Sequence, residues 1–198
     1  MNVVLIPCKN LDRGKSRLAA DLSPRARRAL CEFFLCRTLD VATRTFPSSR
    51  VYVVTSDPRA SAIAAEYGAA AIPDGNDDLN GALARGRAHV LAEAGDCAGL
   101  ILPIDLPRAT PAALARVAHA PHAIVPDEIG EGTNVLHLGP QAFREFRFEF
   151  GAHSFAAHRA NARRMGADLQ IVKDPLLTFD VDTPEQYRRW VEVTGRSL

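Results

Sequence analysis

The sequence lacks several features that would assign a protein to a class at once. Its four cysteines form no Cys-x-x-Cys pair, so neither a zinc site nor a disulfide framework is expected. No apolar run approaches the roughly 20 residues of a membrane helix, and the N-terminal residues do not read as a signal peptide. The net charge of only +1 gives no reason to expect a nucleic acid or a membrane as partner. We therefore expect a cytoplasmic protein, and the sequence leaves a homodimer open.

What is present is ordinary globular composition. Of the 198 residues, 47% are hydrophobic and 24% are charged, which suits a single domain over residues 1–198 with a full core. Short apolar runs alternate with stretches of helical periodicity, a pattern typical of parallel strands buried on both faces. The predicted strands of this kind are residues 3–6, 51–54, 69–72 and 99–102.

The regularity breaks after residue 120. Apolar runs at 123–125 and 135–138 flank a polar loop, which indicates a small antiparallel insertion, and a further strand is expected at 169–172. Helices are predicted from Pro24, over 58–67 and 79–93, from Pro111, over 154–165 and from Pro184. The sequence thus predicts one α/β domain with a mostly parallel sheet, whose ligands should bind beyond the carboxyl ends of the strands.

A basic loop follows the first strand. The tripeptide Gly14-Lys15-Ser16 resembles the end of a phosphate-binding P-loop, but Lys9 stands where that motif needs its first glycine, so we reject it. Lys9, Arg13, Lys15 and Arg17 can still hold a triphosphate through charge-assisted contacts. A plain basic surface loop is the alternative.

Three aspartates follow predicted strands or precede a helix. Asp105 lies between prolines and is either a stiffly held carboxylate or a turn former. Asp180 and Asp182 are two residues apart and point to the same side of an extended segment. Helix capping does not require them, because Thr183 and Gln186 fit a capping box. Two carboxylates held together favour a cation, and hard oxygen ligands suit Mg²⁺.

Two glycine-containing turns lie at residues 130–134 and 150–154. Thr133 and Ser154 offer hydroxyl donors there, and Ser154 is a candidate N-cap of the following helix, whose free N–H groups would face an anion. Turns of this composition often do no more than reverse the chain.

Taken in order, these segments resemble the phospholactate-type guanylyltransferase family of coenzyme F(420) biosynthesis. That family has the nucleotidyltransferase fold of the molybdenum-cofactor guanylyltransferases, and the resemblance covers nearly the whole chain. It implies a single Rossmann-like nucleotidyltransferase domain of GT-A-like topology. The segments that carry it are Lys-Ser-Arg-Leu at 15–18, Val-Val-Thr-Ser-Asp at 53–57, Leu-Asn-Gly-Ala-Leu at 79–83, Asp-Leu-Pro at 105–107, Pro-Asp at 126–127 with Gly-Thr-Asn at 132–134, Phe-Gly at 150–151 with Ser-Phe at 154–155, and Asp-Val-Asp-Thr-Pro at 180–184.

The resemblance also implies roles for individual residues. The metal ligands, expected to hold Mg²⁺, would be Asp105, Asp180 and Asp182. The residues of catalysis and nucleotide binding would be Lys15, Arg17, Asp105, Thr55 and Asn80. The phosphorylated acid would contact Thr133, Gly151 and Ser154. His153 stands where the family favours small residues or proline, and we hypothesise that it contacts the extra hydroxyl of 3-phosphoglycerate, which would then be at least as good a substrate as phosphoenolpyruvate.

The reaction implied is transfer of GMP from GTP to a small phosphorylated three-carbon acid: 3-phosphoglycerate, 2-phospholactate or phosphoenolpyruvate. Pyrophosphate would be released, and no general base is needed because the attacking phosphate is already an anion. Two alternatives stay open. One is a sugar-nucleotide glycosyltransferase of GT-A type, which also uses an Asp-x-Asp metal site. The other is a nucleotide-binding module without catalysis, which would bind GTP indifferently to Mg²⁺.

Overall fold

A seven-stranded sheet organises the chain, which the computed structural model describes over residues 1–75 and 78–195. Its strand order is β3-β2-β1-β4-β6-β5-β7. The strands are β1 (Asn2–Pro7), β2 (Val51–Val54), β3 (Ala70–Ile72), β4 (Ala98–Ile101), β5 (His122–Pro126), β6 (Thr133–Leu138) and β7 (Gln170–Ile171). All neighbours pair in parallel except β6, which runs antiparallel between β4 and β5. The predicted parallel sheet with an antiparallel insertion is confirmed.

The described residues form eight α-helices, six before β7 and two after it: α1 (Pro24–Thr45), α2 (Pro58–Glu66), α3 (Leu79–Ala94), α4 (Pro111–His119), α5 (Pro140–Glu145), α6 (Ser154–Arg164), α7 (Pro175–Thr178) and α8 (Pro184–Thr194). Five of them begin with proline after a residue whose side chain accepts a backbone N–H bond, because proline needs no such bond and the cap satisfies a later N–H. The short helices α5 and α7 were not predicted, since a single turn or two shows no periodicity. None of the helices in the described residues has the length and apolar character to cross a membrane.

The core lies on both faces of the sheet, as β1 shows. Val4 and Ile6 pack in a cluster with apolar residues of α1, α2 and α4. Val3 and Leu5 point the other way, into a cluster with α3, α5 and α6. This alternation follows from the strand geometry, in which successive side chains point to opposite faces.

A third hydrophobic cluster lies beside the sheet and joins α1 to α8. Phe34 and Trp190 pack edge to face with their ring centroids 5.4 Å apart. Leu18, from the basic loop, and Val181, from the segment before α8, are fully buried in the same cluster. The cluster therefore fixes the two chain segments that carry Lys15 and the last pair of aspartates.

Close packing between β4 and α5 provides a test of this core. A Cβ atom added at Gly99 would overlap the ring of Phe143. We expect Gly99→Ala to lower the free energy of unfolding by about 1–3 kcal/mol, the usual cost of overpacking. The measurement is urea denaturation. The double variant Gly99→Ala, Phe143→Leu should be more stable than the sum of the single changes implies, and strict additivity would contradict the contact.

Candidate active site

The loop after β4 and the segment before α8 meet through their backbones. The N–H of Val181 donates to the carbonyl of Asp105 at 3.1 Å. The same loop is held from the other side by α1, where the Thr38 hydroxyl donates to the carbonyl of Ile104 at 3.3 Å. These bonds bring Asp105 next to the Asp180–Asp182 pair, although the two lie far apart in sequence.

Lys15 lies between two of the three aspartates. Its Nζ atom is 2.9 Å from Oδ2 of Asp105 and 2.7 Å from Oδ1 of Asp182, and its side chain is only 7% exposed. Arg17 lies at the rim, 3.8 Å from Asp182 and 73% exposed. Lys15 also has a left-handed backbone, with φ of 52°, which is uncommon outside glycine. The basic loop is thus built to point one ammonium group into the carboxylates.

The electrostatics of the group show an excess of negative charge. Burial opposes the charge on Lys15, but the neighbouring carboxylates outweigh it and hold its pKa above the usual value. Burial likewise opposes ionisation of Asp182, yet Lys15 holds the pKa of that carboxyl below its usual range. Burial, followed by the charges of Asp105 and Asp182, raises the pKa of Asp180 to about 7. One buried ammonium group therefore does not compensate three carboxylates.

This excess charge decides how well the residues fit a metal ion. Within residues 1–75 and 78–195, no three acidic, histidine or cysteine side chains form a ready-made metal site. Asp105 and Asp182 nevertheless lie close enough to Asp180 to raise its pKa, and Lys15 lies between them. Carboxylate oxygens are the ligands that Mg²⁺ prefers. The residues fit a divalent cation in charge and chemistry, and metal binding by this set stays a prediction.

Gln186 positions the aspartates as well as the helix. The predicted capping box of Thr183 and Gln186 is confirmed at the start of α8. The side-chain oxygen of Gln186 accepts from the N–H of Asp182 at 2.9 Å, and its amide nitrogen donates to Asp180 at 3.1 Å. Sequence reasoning assigned Gln186 to capping alone. The spacing of four and six residues to the aspartates was the available signal.

Asp57 holds the basic loop at its other end. One of its oxygens caps α2 by accepting from the N–H groups of Arg59 and Ala60, and the other accepts from the N–H of Leu11 at 3.0 Å. Thr55 is buried at the end of β2, where its hydroxyl accepts from the N–H of Asp57 at 3.0 Å. Thr55 therefore shapes the turn beside the loop, and a contact between Thr55 and the nucleotide stays a prediction.

Asn80 joins the start of α3 to the loop before α6. Its amide nitrogen donates to the carbonyl of Phe150 at 3.0 Å, and its oxygen accepts from the N–H of Phe150 at 2.7 Å. The side chain thus braces the turn that contains Gly151. This contact does not test the expected position of Asn80 near the guanine, which stays a prediction.

The turn before α6 differs from expectation in one respect. Gly151 has a φ of 130°, which only glycine adopts readily. The N-cap of α6 is His153, in a left-handed conformation and without a side-chain cap bond, so the prediction that Ser154 caps the helix is wrong. Ser154 is instead the first helical residue and is buried. The His153 ring is 76% exposed, with Nδ1 3.9 Å from Glu131.

Thr133 lies at the start of β6, at the same edge of the sheet as Asp105. It opens β6, which runs antiparallel to β4 with Leu136 opposite Ile101. The start of β6 therefore lies beside the carboxyl end of β4, from which the loop to Asp105 departs. Thr133 is buried, and its hydroxyl oxygen is 3.0 Å from Nδ1 of His158. Lys15, the three aspartates around it and the two glycine-containing turns therefore lie at one edge of the sheet.

A family model and individual relatives both match nearly the whole chain. The family model described as "Guanylyl transferase CofC like" matches residues 2–191. A phosphoenolpyruvate guanylyltransferase of Rubrobacter xylanophilus is 39% identical over 196 residues, which covers 96% of this chain and 93% of the relative. A phosphoenolpyruvate guanylyltransferase of Streptomyces coelicolor is 36% identical over 185 residues, covering 91% and 85%.

Solved structures of a nucleotide-diphospho-sugar transferase and of a cytidylyltransferase have the same fold. A putative nucleotide-diphospho-sugar transferase from Desulfovibrio desulfuricans superposes with a TM-score of 0.68 at 15% identity, covering 99% of this chain and 88% of the other. A cytidylyltransferase from Leptospira borgpetersenii gives 0.62 at 11% identity, covering 100% and 87%. These likenesses show the fold, and the predicted Rossmann-like nucleotidyltransferase domain is confirmed.

The opposite pKa shifts of two neighbouring aspartates predict opposite effects on stability. Because the pKa of Asp180 is raised to about 7, its deprotonation costs stability as the pH rises from about 4 through 7. Asp180→Asn should therefore be more stable than the wild type at pH 8 and similar to it at pH 4. The pKa of Asp182 is lowered, so its stabilising effect is present above the unfolded pKa of about 4 and is lost as the pH falls through the folded value. Asp182→Asn should therefore be less stable at pH 8.

Urea denaturation of both variants at the two pH values, with divalent ions removed by EDTA, provides the measurement. The two variants serve as matched controls for each other, since each replaces one carboxylate of the same segment by an amide. Shifts of the same sign at pH 8 would contradict the charge distribution described above.

Proposed function

The chain belongs to the CofC-like guanylyl transferase family, and on this premise we propose that it transfers GMP from GTP to phosphoenolpyruvate in coenzyme F(420) biosynthesis. The observation that carries the assignment of the site is the buried ammonium group of Lys15 between Asp105 and Asp182, with Asp180 beside them. The choice of acid follows the names of the relatives that span nearly the whole chain. The acids 2-phospholactate and 3-phosphoglycerate are the competing substrates.

The chemistry requires few groups that move protons. A phosphate oxygen of the acid attacks the α-phosphorus of GTP and forms the new phosphoanhydride bond. The bond from that phosphorus to the oxygen bridging the α and β positions breaks, and pyrophosphate leaves with the electron pair. The attacking oxygen is already an anion, so no general base is needed. The main barrier is repulsion between two anions, which fixed cationic groups lower by several kcal/mol.

Lys15 and Arg17 are the groups that would bind the triphosphate. An ammonium group has three N–H donors, and Lys15 uses two of them on aspartates, which leaves the third for a phosphate oxygen. Arg17 is exposed at the rim and can present a planar pair of donors to a second phosphate. The strained backbone of Lys15 supports this assignment, because such conformations cluster at functional sites.

The aspartates Asp105, Asp180 and Asp182 would hold Mg²⁺. Bound there, the ion would offset charge on the phosphates and so supply electrostatic stabilisation to the transfer. Gln186 and the backbone of Val181 would hold these carboxylates in place whether or not the ion is bound. The excess negative charge of the group supports the assignment.

Thr133, Gly151 and Ser154 would bind the phosphorylated acid. Gly151 has no Cβ and an open surrounding, so an anion could approach its backbone closely. Ser154 begins α6, an eleven-residue helix whose dipole favours negative charge at this end, and the N–H groups of Ser154 and Phe155 donate to the carbonyls of Gly151 and Glu131. Thr133 adds a hydroxyl from the neighbouring strand.

The carboxylates provide the first test of this function. With GTP and phosphoenolpyruvate, Asp105→Asn and Asp182→Asn should each lower the rate of pyrophosphate release on the order of a hundredfold or more, the usual cost of removing one transition-state stabiliser. Asp168→Asn is the matched control, because Asp168 is exposed and precedes β7, at the opposite edge of the sheet. Release of no pyrophosphate by the wild type, with tight GTP binding indifferent to Mg²⁺, would instead support a non-catalytic module.

The choice of acid is tested by competition among the three candidates. We expect phosphoenolpyruvate to have the highest kcat/KM. Because the His153 ring lies largely in solvent, His153→Gly should change the ratio of kcat/KM for 3-phosphoglycerate over phosphoenolpyruvate by no more than about twofold. A shift toward the shorter acids in this variant would confirm the sequence-based hypothesis about His153 and contradict the present expectation.

A further inference from the structure

His158 is a buried histidine that the proposed chemistry does not use. It lies on α6 with no exposed surface. Its Nδ1 is 3.0 Å from the hydroxyl oxygen of Thr133, and its Nε2 is 3.0 Å from the backbone nitrogen of Glu149. The rings of Phe146 and Phe150 pack on it with centroid distances of 5.6 and 4.6 Å. The imidazole is therefore fixed in both position and orientation.

The backbone contact determines where the ring carries its proton. A backbone N–H can only donate, so Nε2, which faces the N–H of Glu149, must be an unprotonated acceptor. A neutral imidazole with a bare Nε2 carries its proton on Nδ1, which then donates to Thr133. Burial lowers the pKa of His158 to about 4, so the ring is neutral near pH 7.

The tautomer in turn determines the direction of the Thr133 hydroxyl proton. Because the hydroxyl oxygen accepts from His158, its own hydrogen cannot point at the ring and must be directed elsewhere. The phosphate and carboxylate groups of phosphoenolpyruvate carry anionic oxygens, which accept hydrogen bonds and cannot donate them. A hydroxyl fixed as a donor has the polarity that such a ligand requires, and a donor to a charged group makes the stronger kind of bond.

We propose that His158 is a positioning residue for the acid substrate, which holds the Thr133 hydroxyl as a donor toward an anionic oxygen of the phosphorylated acid. The proposal rests on the acid site proposed above, in which Thr133 contacts that substrate. Without the ring, the hydroxyl could turn its hydrogen toward a protein acceptor, and the acid would have to reorient it on binding.

The same ring connects both halves of the acid site. Glu149 belongs to the loop that leads to Gly151, and this loop is also tied to α6 by Asn161, whose amide donates to the carbonyl of Arg147 at 2.7 Å. His158 therefore links the loop of Gly151 to the strand of Thr133 through one buried side chain. A change at His158 should be felt by the acid and not by GTP.

The test uses side chains that imitate one ring nitrogen at a time. The amide nitrogen of His158→Asn can replace Nδ1 as the donor to Thr133, whereas His158→Gln reaches toward Glu149 and leaves Thr133 without that donor. We expect His158→Gln to raise the KM for phosphoenolpyruvate on the order of tenfold, the loss of about one hydrogen bond to a charged group. His158→Asn should raise it less, and the KM for GTP should be unchanged in both.

A double-mutant cycle with Thr133→Val separates positioning from simple structural support. If His158 acts through Thr133, His158→Gln should add little to the KM for phosphoenolpyruvate in the Thr133→Val background. An equal increase in both backgrounds, or no increase in either, overturns the proposal. An unchanged KM for the acid in Thr133→Val overturns the proposed acid site and, with it, this inference. If Thr133→Val raises that KM and His158→Gln does not, only the role of His158 is overturned. Thermal melting verifies that each variant is folded, and should His158→Gln unfold, His158→Leu, which also removes the donor to Thr133, replaces it in the cycle.

Discussion

Repulsion among Asp105, Asp180 and Asp182 is the constraint on which the rest of the site depends. Burial, followed by the charges of Asp105 and Asp182, raises the pKa of Asp180 to about 7. The three aspartates stay together because backbone and side-chain bonds outside the carboxylates hold their segments, and because Lys15 supplies a buried positive charge. These bonds offset the electrostatic cost of bringing the three carboxylates together. Because the carboxylates are held in place, the group attracts a cation.

The third hydrophobic cluster holds in place the segments that carry Lys15 and the last two aspartates. It buries Leu18 three residues after Lys15 and Val181 between the last two aspartates. Burial of such side chains contributes about 1.5–3 kcal/mol each, which exceeds what a partly exposed ion pair provides. The charged side chains are therefore positioned by apolar neighbours in the chain, and the loop that carries Lys15 is further tied to α2 through Asp57. A ligand that binds there meets groups already in place.

Sequence reasoning found the strands and their ends because short buried runs bounded by proline and polar residues are local signals. It found the aspartates because carboxyl ends of parallel strands meet at one edge. It did not find the second role of Gln186, the tie from Asp57 to Leu11, or the bonds of His158. The tie from Asp57 and the bond from His158 to Thr133 join residues 46 and 25 positions apart, which no spacing rule shows. The second role of Gln186 had a signal in its spacing of four and six residues to the aspartates. The N-cap of α6 was missed for another reason: histidine is enriched among non-glycine residues with a left-handed backbone, but this preference is too weak to identify His153.

In residues 1–75 and 78–195, Lys15 and His153 are the non-glycine residues with positive φ, and both lie at the candidate site. Such a backbone costs of the order of 1–3 kcal/mol and persists only where the surroundings over-determine it. At Lys15 the side chain holds this conformation, because its buried ammonium group forms ion pairs with Asp105 and Asp182. At His153 the imidazole is exposed, and two backbone bonds hold the conformation instead. The carbonyl of His153 accepts from the N–H of Ala157, and the N–H of Ser154 donates to the carbonyl of Gly151. The strained backbone at Lys15 therefore holds a buried ammonium group against the aspartates, whereas the strained backbone at His153 forms the turn from Gly151 into α6.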